Sequence, residues 1–321
     1  MANRKLKLIK KIKPRLESLA SPCMLCGHLC RVIREKGQKG TCGALSKVRV
    51  YSSGPHPGEE PPLSGTGGSG AIFFSCCSMK CVYCQNYTFS QKITGEEVDA
   101  EELAGMMLRL QRAGCRNINL VSPTHYAYQA VSALEIALKK SLCIPVVYNT
   151  GGYDNPELIR LLDGIIDIYL PDMRYSDDAN ARRFSSARNY SVINRKIVKE
   201  MFRQAGVLRL SSAGVAQKGV IVRLLVLPNG ISGTVATLRF LKKEVSPEIY
   251  LSLMSQYHPT YLACRFSEIA RRITRNEYRE ITGAAEKLGF TNGWVQGFET
   301  ETERFLGTRI KPFSENNALF S

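Results

Sequence analysis

Six short runs of β-branched and aromatic residues recur between residues 71 and 255, and amphipathic segments such as 99–114 and 128–141 lie between them. The runs occupy residues 71–75, 117–123, 144–150, 165–172, 219–228 and 248–255. Apolar strands separated by helices are typical of βαβ units, which cover both faces of a parallel sheet. The sequence therefore predicts an α/β fold with six parallel strands, and the spacing leaves an open doubly wound sheet and a barrel as alternatives.

The composition divides the 321 residues into four parts. Residues 1–50 are basic and cysteine-rich, residues 51–70 predict a Gly/Pro-rich connecting loop, residues 71–300 hold the strand and helix pattern, and residues 301–321 form a C-terminal tail. No segment has the ~18 uninterrupted apolar residues of a membrane helix, and the N-terminus lacks the apolar core of a secretory signal. We therefore expect a cytoplasmic protein without membrane association, whose helical N-terminal segment is interrupted at Pro14.

The formal charge of +16 is concentrated in residues 1–50, which carry thirteen Lys or Arg against Glu17 and Glu35. Such a surface attracts nucleic acid, acidic proteins or anionic surfaces. The alternative is a solvated basic face beside a metal site whose thiolates carry negative charge. The charge alone does not separate these interpretations.

Four of the eleven cysteines lie in the segment FFSCCSMKCVYCQN, directly after the first predicted strand. Thiols stay reduced in the cytosol, so clustered cysteines there favour metal binding over disulfides. Cys77, Cys81 and Cys84 have the spacing C-x3-C-x2-C. A four-iron cluster normally takes four thiolates, so three leave one iron open for chemistry. The spacing therefore favours a reactive iron–sulfur cluster over a plain electron carrier.

This spacing, with Tyr83 directly before the last cysteine, resembles the signature of the radical S-adenosylmethionine (SAM) superfamily. The resemblance implies a partial (β/α)6 barrel with a small N-terminal cysteine-rich module, and a 4Fe–4S cluster held by Cys77, Cys81 and Cys84. It also implies that the open iron binds SAM. One electron then cleaves SAM to methionine and a 5′-deoxyadenosyl radical, which abstracts a hydrogen atom from the substrate. We thus expect an oxygen-sensitive oxidoreductase supplied by a low-potential ferredoxin or flavodoxin.

Cys76 departs from the related sequences, which usually have glycine directly before the first cluster cysteine. A side chain at such a tight turn strains the backbone or crowds the cluster. Cys76 is not assigned as a ligand, and its substitution for Cys77 in a shifted register is the alternative.

Further segments resemble one subgroup, the pyruvate formate-lyase activating enzyme-like proteins, which are related to the activating enzymes of glycyl-radical proteins. The segments are GEEPPLSGTGGSGAIFFS, CQNYTFSQ, VSPTHY, YNTGGYD, YLPDMRY, RLLVLPNGISGT and SQYHP. This resemblance implies a glycyl-radical protein as the substrate.

Most of these segments end predicted strands, where parallel α/β folds place their sites. By resemblance, the cofactor-binding residues are Ser122, Thr124, Thr150, Asp172, Arg174 and Arg223. Ser122 and Thr124 occupy the position of a segment that holds the SAM amino group, although its Gly-Gly-Glu sequence is absent. Asn149 and Arg174 replace an acid and a lysine of a monovalent-cation site, so we expect Arg174 to pair with a carboxylate directly.

Two histidines also end predicted strands. His125 is either a proton donor or a packing residue, and His258 either faces the substrate or is structural.

Four N-terminal cysteines, Cys23, Cys26, Cys30 and Cys42, lie within twenty residues that also contain His28. A segment this short has little core of its own, so a bound metal would hold it. Thiolates suit both zinc and an auxiliary iron–sulfur cluster, and the absence of a metal is a third alternative. Cys115, Cys143 and Cys264 are scattered and are interpreted as small buried hydrophobes.

Two alternatives to a glycyl-radical activase remain. Radical SAM modification of RNA would use the basic N-terminus to bind nucleic acid. A non-catalytic iron–sulfur protein would carry electrons or sense redox state, and it would not bind SAM.

Overall fold

The structure is a computed structural model that describes residues 2–298 and the backbone of residues 310–312. The described residues form ten α-helices and eleven strands. The helices are α1 Ala2–Ala20, α2 Pro61–Ser64, α3 Tyr87–Ser90, α4 Ala100–Arg112, α5 Ala127–Lys139, α6 Pro156–Leu161, α7 Asp178–Ser185, α8 Tyr190–Ala205, α9 Thr234–Glu244 and α10 Arg275–Lys287. The strands are β1 Val48–His56, β2 Ser69–Phe74, β3 Glu96–Val98, β4 Ile118–Val121, β5 Val146–Thr150, β6 Ile168–Pro171, β7 Arg209–Leu210, β8 Ala216–Leu225, β9 Tyr250–Met254, β10 Gly293–Gln296 and β11 Ile310–Pro312.

The six predicted strands form one continuous parallel run in the order β2-β4-β5-β6-β8-β9. Helices α4, α5, α6, α8 and α9 lie in the connections between them. The predicted α/β fold, a parallel-dominated partial barrel, is therefore confirmed. β10 continues the parallel run beyond β9, and β11 pairs antiparallel with β10.

The predicted connecting loop is partly a strand. β1 runs through residues 48–56 and pairs antiparallel with β2, with Val50 opposite Phe74 and His56 opposite Ser69. Pro55 is tolerated because β3 pairs only with residues 48–50 of β1, so no ladder partner needs the missing N–H on that edge. Tertiary pairing thus overrides the Gly/Pro composition that predicted a loop.

Helix α1 continues through Pro14, which the sequence predicted to interrupt it. Proline removes one intrahelical hydrogen bond, but burial of Ile9, Leu16 and Leu19 stabilises the helix on both sides of it. These side chains belong to the same hydrophobic core as the barrel. The N-terminal segment is therefore packed on the barrel rather than separated from it.

Ion pairs join the basic face of α1 to the barrel helices and strands. Lys13 pairs with Glu135 at 3.0 Å and Arg15 with Glu157 at 2.5 Å. Lys5 pairs with Asp167 where both side chains are nearly buried. Part of the N-terminal positive charge is thus neutralised by ion pairs within the molecule.

The predicted C-terminal tail, residues 301–321, lies outside the described residues except for the backbone of β11. Among the described helices, none is both long and apolar enough to cross a lipid bilayer.

Candidate active site

The three-cysteine segment forms a loop at the carboxyl end of β2, the first strand of the parallel run. Its backbone is fixed by hydrogen bonds from the Lys80 amide to the Ser185 carbonyl and from the Val82 amide to the Phe184 carbonyl, each 2.9 Å long. Both acceptors lie at the end of α7, so the loop is held between β2 and the helix that follows β6. This position is the edge of the sheet at which parallel α/β folds place their sites.

Each sulfur of the triplet lies within hydrogen-bond distance of a donor. The pairs are the Met79 amide with the Cys77 sulfur at 3.4 Å, the Ser185 hydroxyl with the Cys81 sulfur at 3.0 Å, and the Ser90 hydroxyl with the Cys84 sulfur at 3.1 Å. Hydrogen bonds to thiolate sulfur are one of the means by which proteins hold and tune iron–sulfur clusters. The local hydrogen bonding therefore suits thiolates rather than inert thiols.

The three sulfurs also interact through their charges. Burial raises the pKa of Cys77 to about 12, and repulsion from the Cys81 and Cys84 thiolates contributes. Burial likewise raises the pKa of Cys81, while the nearby Arg174 guanidinium opposes that rise. Without a cation the thiols of Cys77 and Cys81 are neutral, and a bound metal would displace their protons.

The donor set suits an iron–sulfur cluster by its chemistry. Iron–sulfur clusters take cysteine thiolates, and a 4Fe–4S cluster binds each thiolate through a different iron. Within residues 2–298, no three His, Cys, Asp or Glu side chains form a site for a single metal ion. Cys77, Cys81 and Cys84, each with a donor beside its sulfur, therefore fit three of the four ligand positions of a 4Fe–4S cluster.

Cys76 lies on the other side of the loop. Its φ is 73°, a left-handed conformation that favours glycine, and it is 1% exposed. Its sulfur is 4.0 Å from the Tyr126 hydroxyl and within charge-interaction distance of Cys42. Cys76 therefore faces the N-terminal cysteines, and the geometry favours the register in which Cys77 belongs to the triplet.

Two arginines and a carboxylate meet beside this loop. Arg223 donates from Nε to Asp172 Oδ1 at 2.8 Å and from Nη2 to Asn149 Oδ1 at 2.6 Å. Arg174 donates to the other oxygen of Asp172, and its own Nε is buried without a partner among the described residues. Burial lowers the pKa of Arg223, but the charges of Asp172, Glu60 and Glu59 together outweigh this effect and raise the pKa overall. Asp172 thus orients both guanidinium groups, which stay charged.

The predicted cofactor contacts Thr124 and Thr150 hold a carboxylate that sequence reasoning missed. Asp154 is fully buried and accepts hydrogen bonds from both threonine hydroxyls at 2.7 Å and from the Tyr148 hydroxyl at 2.9 Å. Burial raises the pKa of Asp154, and the three donors oppose that rise. Ser122, which is partly buried and has a φ of 58°, stands outside this group. The only sequence signal for Asp154 is its place at the end of YNTGGYD.

Two further acids, Glu59 and Glu60, reach strands of the parallel run from the segment before α2. Glu59 lies 3.7 Å from Arg223 Nη1 and accepts from Asn119 at 3.0 Å. Glu60 is 3% exposed, and its Oε2 has no partner among the described residues. Burial raises the pKa of both carboxyls, while Arg223 opposes the rise. From the sequence these residues have no predicted role in the site, because the Gly/Pro-rich composition of the segment predicts only a connecting loop.

The structure supports the packing interpretation of His125. The ring is 1% exposed, and its Nε2 lies 2.7 Å from the Ser75 carbonyl, so Nε2 carries the proton and donates. Burial lowers the pKa of His125 to about 3, and Arg34 contributes. His258 lies 2.9 Å from the Pro259 carbonyl through Nδ1. Of the scattered cysteines, Cys115 is buried as expected, but Cys143 and Cys264 are exposed.

The four N-terminal cysteines come together in space. Cys23, Cys26 and Cys42 are buried, and Cys30 is partly exposed. The Cys26 thiolate interacts electrostatically with those of the other three, and burial raises its pKa. The four thiols therefore lie close to one another and near Cys76, and the metal-binding module stays a prediction.

Comparison with known proteins identifies the family. The model of the radical SAM superfamily matches residues 71–219, which contain the triplet and four of the six parallel strands up to the start of β8. Uncharacterized protein MJ0674 of Methanocaldococcus jannaschii is 30% identical over 276 residues, which are 83% of this chain and 74% of that protein. The chain belongs to the radical SAM superfamily. It is therefore a radical SAM enzyme, and its family implies a 4Fe–4S cluster and SAM.

Solved structures show weaker similarity to this radical SAM chain. A radical SAM methyltransferase from Sphaerobacter thermophilus gives a TM-score of 0.47 at 14% identity, covering 70% of this chain and 65% of that one. Methylornithine synthase (PylB) gives 0.47 at 15% identity, covering 68% and 60%. The chain thus spans less than two thirds of each solved structure. Similarity at this level does not define the activity, and the activase-like subgroup stays a prediction.

Proposed function

We propose that this radical SAM enzyme holds its 4Fe–4S cluster through Cys77, Cys81 and Cys84 and abstracts a hydrogen atom from a glycyl-radical protein. The observation that carries the proposal is the triplet itself. Three thiols with hydrogen-bond donors lie on one loop at the carboxyl end of the first parallel strand, inside the region matched by the family.

When bound, the cluster supplies one electron that cleaves SAM to methionine and a 5′-deoxyadenosyl radical, which takes the substrate hydrogen. The chain's own residues position the cofactor. Arg174 lies close enough to Cys77 and Cys81 to lower the pKa of both thiols against the larger effect of burial, so it reaches the cluster side of the site. Its unpartnered Nε is the donor that we assign to the SAM carboxylate.

The other polar residues act around that contact. Asp172 accepts hydrogen bonds from Arg174 and Arg223 and so orients both side chains. Its negative charge also reduces the electrostatic repulsion between the two guanidinium groups. Ser122 remains the proposed contact of the SAM amino group. Thr124 and Thr150 hold Asp154, so we assign them a positioning role rather than direct contact.

A glycyl-radical protein as substrate is supported by the segments that resemble the activase-like subgroup. The positive charge of the N-terminal segment is only weak support for RNA as the substrate, because three of its cations, Lys5, Lys13 and Arg15, pair with acids of the barrel. A non-catalytic electron carrier does not account for an arginine beside the cluster thiols whose Nε has no partner among the described residues.

The first test is SAM cleavage. The protein is reconstituted anaerobically with iron and sulfide, reduced with dithionite and assayed for 5′-deoxyadenosine. Cleavage should be lost in Cys77→Ala and kept in Cys143→Ala, which removes an exposed thiol away from the triplet. Loss in Cys76→Ala together with full activity in Cys77→Ala would overturn the ligand assignment.

The second test addresses the substrate. A glycyl-radical protein deuterated at its glycines is added to the reduced enzyme with SAM. We expect deuterium in 5′-deoxyadenosine and a glycyl radical signal in the electron paramagnetic resonance (EPR) spectrum. SAM cleavage that is stimulated by RNA, without deuterium transfer from the protein, would contradict this substrate class.

A further inference from the structure

We propose that Cys23, Cys26, Cys30 and Cys42 bind a second iron–sulfur cluster, which passes electrons to the SAM cluster across Cys76 and Cys77. The relay rests on the proposed role of Cys77 as a ligand of the SAM cluster. The second cluster itself rests only on the N-terminal module.

The module is folded around its sulfurs. Backbone hydrogen bonds from the Cys23 amide to the Val32 carbonyl (2.9 Å) and from the Arg31 amide to the Cys23 carbonyl (2.8 Å) close the first loop. A Cβ at Gly40 would lie 2.9 Å from the Cys30 sulfur, so only glycine lets this thiol approach the returning chain. The sequence between the cysteines therefore serves to bring the four thiols together.

Arg34 is buried against two sulfurs of the module. It is 5% exposed, and its Nη2 donates to the sulfurs of Cys23 at 2.9 Å and Cys42 at 3.8 Å. Its Nη1 donates to the His125 carbonyl, and its Nε has no partner among the described residues. Within the same residues, no Asp or Glu forms an ion pair with Arg34. A buried cation is destabilising unless an anion compensates its charge, and metal-bound thiolates would supply that charge here.

The contact with the triplet favours a cluster over zinc. Four cysteines suit either a tetrahedral zinc ion or an iron–sulfur cluster without an open iron. Zinc keeps one oxidation state, so it would hold the module together but would not carry an electron. The module contacts, through His28 and Ser78, the loop of the triplet to which the family assigns a 4Fe–4S cluster, and only a redox-active cluster gives that contact a role in electron transfer.

The module contacts the loop of the SAM cluster directly. His28 Nε2 lies 2.8 Å from the carbonyl of Ser78, the residue after Cys77. Cys76 lies within charge-interaction distance of Cys42, and its neighbour Cys77 belongs to the triplet. One peptide, with about 3.8 Å between its Cα atoms, therefore joins Cys76, which interacts electrostatically with Cys42, to Cys77 of the triplet.

The electron balance is simple. A low-potential flavodoxin or ferredoxin loses one electron, the N-terminal cluster gains and then loses it, and the SAM cluster gains it without any change in bonding.

The exposed side chains of Arg31, Lys36 and Lys39 lie between Cys30 and Cys42 in the sequence and give this face a positive charge. Such a face suits an acidic electron carrier.

The test uses the full chain after anaerobic reconstitution. The triple variant Cys77→Ala, Cys81→Ala, Cys84→Ala should keep about half of the wild-type iron and sulfide and show the EPR signal of one reduced cluster. Removing the four N-terminal cysteines should remove this signal and leave the other cluster. That variant should still cleave SAM with dithionite, a small reductant, but not with reduced flavodoxin. Zinc in place of iron in the triple variant, or unchanged cleavage with flavodoxin in the other, would overturn the proposal.

A conservative pair of variants tests the module without removing ligands. In the triple-variant background, Arg34→Gln should shift the reduction potential of the remaining cluster to a more negative value, because a cation beside the sulfurs favours the reduced state. Arg31→Gln, an exposed neighbour, should leave the potential nearly unchanged. Equal potentials in both variants would place the cluster elsewhere. A wild-type protein that fails to cleave SAM but passes these tests would refute the proposed function alone.

Discussion

The stability of the protein should fall as the pH falls below about 6.5, because His125 is buried in its neutral form. The unfolded chain binds a proton at this residue near the ordinary histidine pKa of 6.5, whereas in the folded chain burial lowers the pKa to about 3. The stabilisation is therefore fully present above pH 6.5 and is lost progressively towards pH 3. Each pH unit in this range costs about 1.4 kcal/mol, so the loss at pH 5 is about 2 kcal/mol.

The variant His125→Gln isolates this effect, because its side-chain amide can still donate to the Ser75 carbonyl but does not titrate. Denaturant unfolding of the reconstituted protein is measured at pH 7.5 and pH 5.0 for wild type and variant. Between these values the wild type should lose about 2 kcal/mol more than the variant. Both proteins keep the same cysteines, so acid loss of a cluster affects them equally.

The matched control is His56→Gln. The His56 side chain is 42% exposed and its partial burial lowers its pKa, so this less buried ring should give a smaller difference in stability than His125. If wild type and His125→Gln lost the same stability between the two pH values, His125 would not be held neutral, and the packing interpretation would be wrong.

Three further changes test other parts of the structure. Glu60→Gln should be more stable than wild type above pH 4.5, and the difference should grow as the pH rises, because burial raises the pKa of this carboxyl and favours its protonated form. Melting temperatures of both proteins from pH 5 to pH 8 measure this difference. A difference that does not change with pH would contradict the prediction. Gly152→Ala should destabilise by several kcal/mol, since its Cβ would lie 2.2 Å from Asn194 Nδ2. Gly206→Ala, where φ is also positive at 71° and ψ is −160° but the Cβ would meet open space, should cost only about 1–3 kcal/mol from backbone strain; denaturant unfolding measures both. Asp99→Ala removes the capping box of α4 and should cost about 1 kcal/mol by the same assay, and an unchanged unfolding midpoint would show that the cap contributes nothing.

The parallel strands were predictable because their signal is local. A strand buried on both faces is apolar at nearly every position, as in β4 with the sequence INLV, and this pattern survives in any tertiary context. β1 was not predictable, since its SSGPH segment has the composition of a loop and becomes a strand only through its pairing with β2. Helix α1 shows the same limit, because the packing of its apolar side chains outweighs the cost of Pro14.

The residues of the candidate site also differ in whether their sequence signal is local or depends on tertiary contacts. The triplet lies within eight residues, so its spacing alone indicates its chemistry, and the family comparison agrees with it. Asp154, Glu59 and Arg34 are different, because each also has a partner far away in the sequence. These partners are Thr124, Arg223 and the His125 carbonyl, respectively. Arg34, for example, appears as one of thirteen N-terminal basic residues until the fold shows its guanidinium among sulfurs. No spacing rule detects a buried charge whose partners come from other segments.

Cys76 carries both a sequence signal and a signal that only the fold provides. A side chain at a φ of 73° costs about 1–2 kcal/mol relative to glycine. Burial of its thiol against Tyr126 offsets part of that cost, since the side chain is 1% exposed. The thiol also interacts electrostatically with Cys42, while the next residue, Cys77, belongs to the triplet. Glycine would remove the strain together with this thiol, so the strained cysteine places a sulfur on the side of the triplet loop that faces the N-terminal thiols.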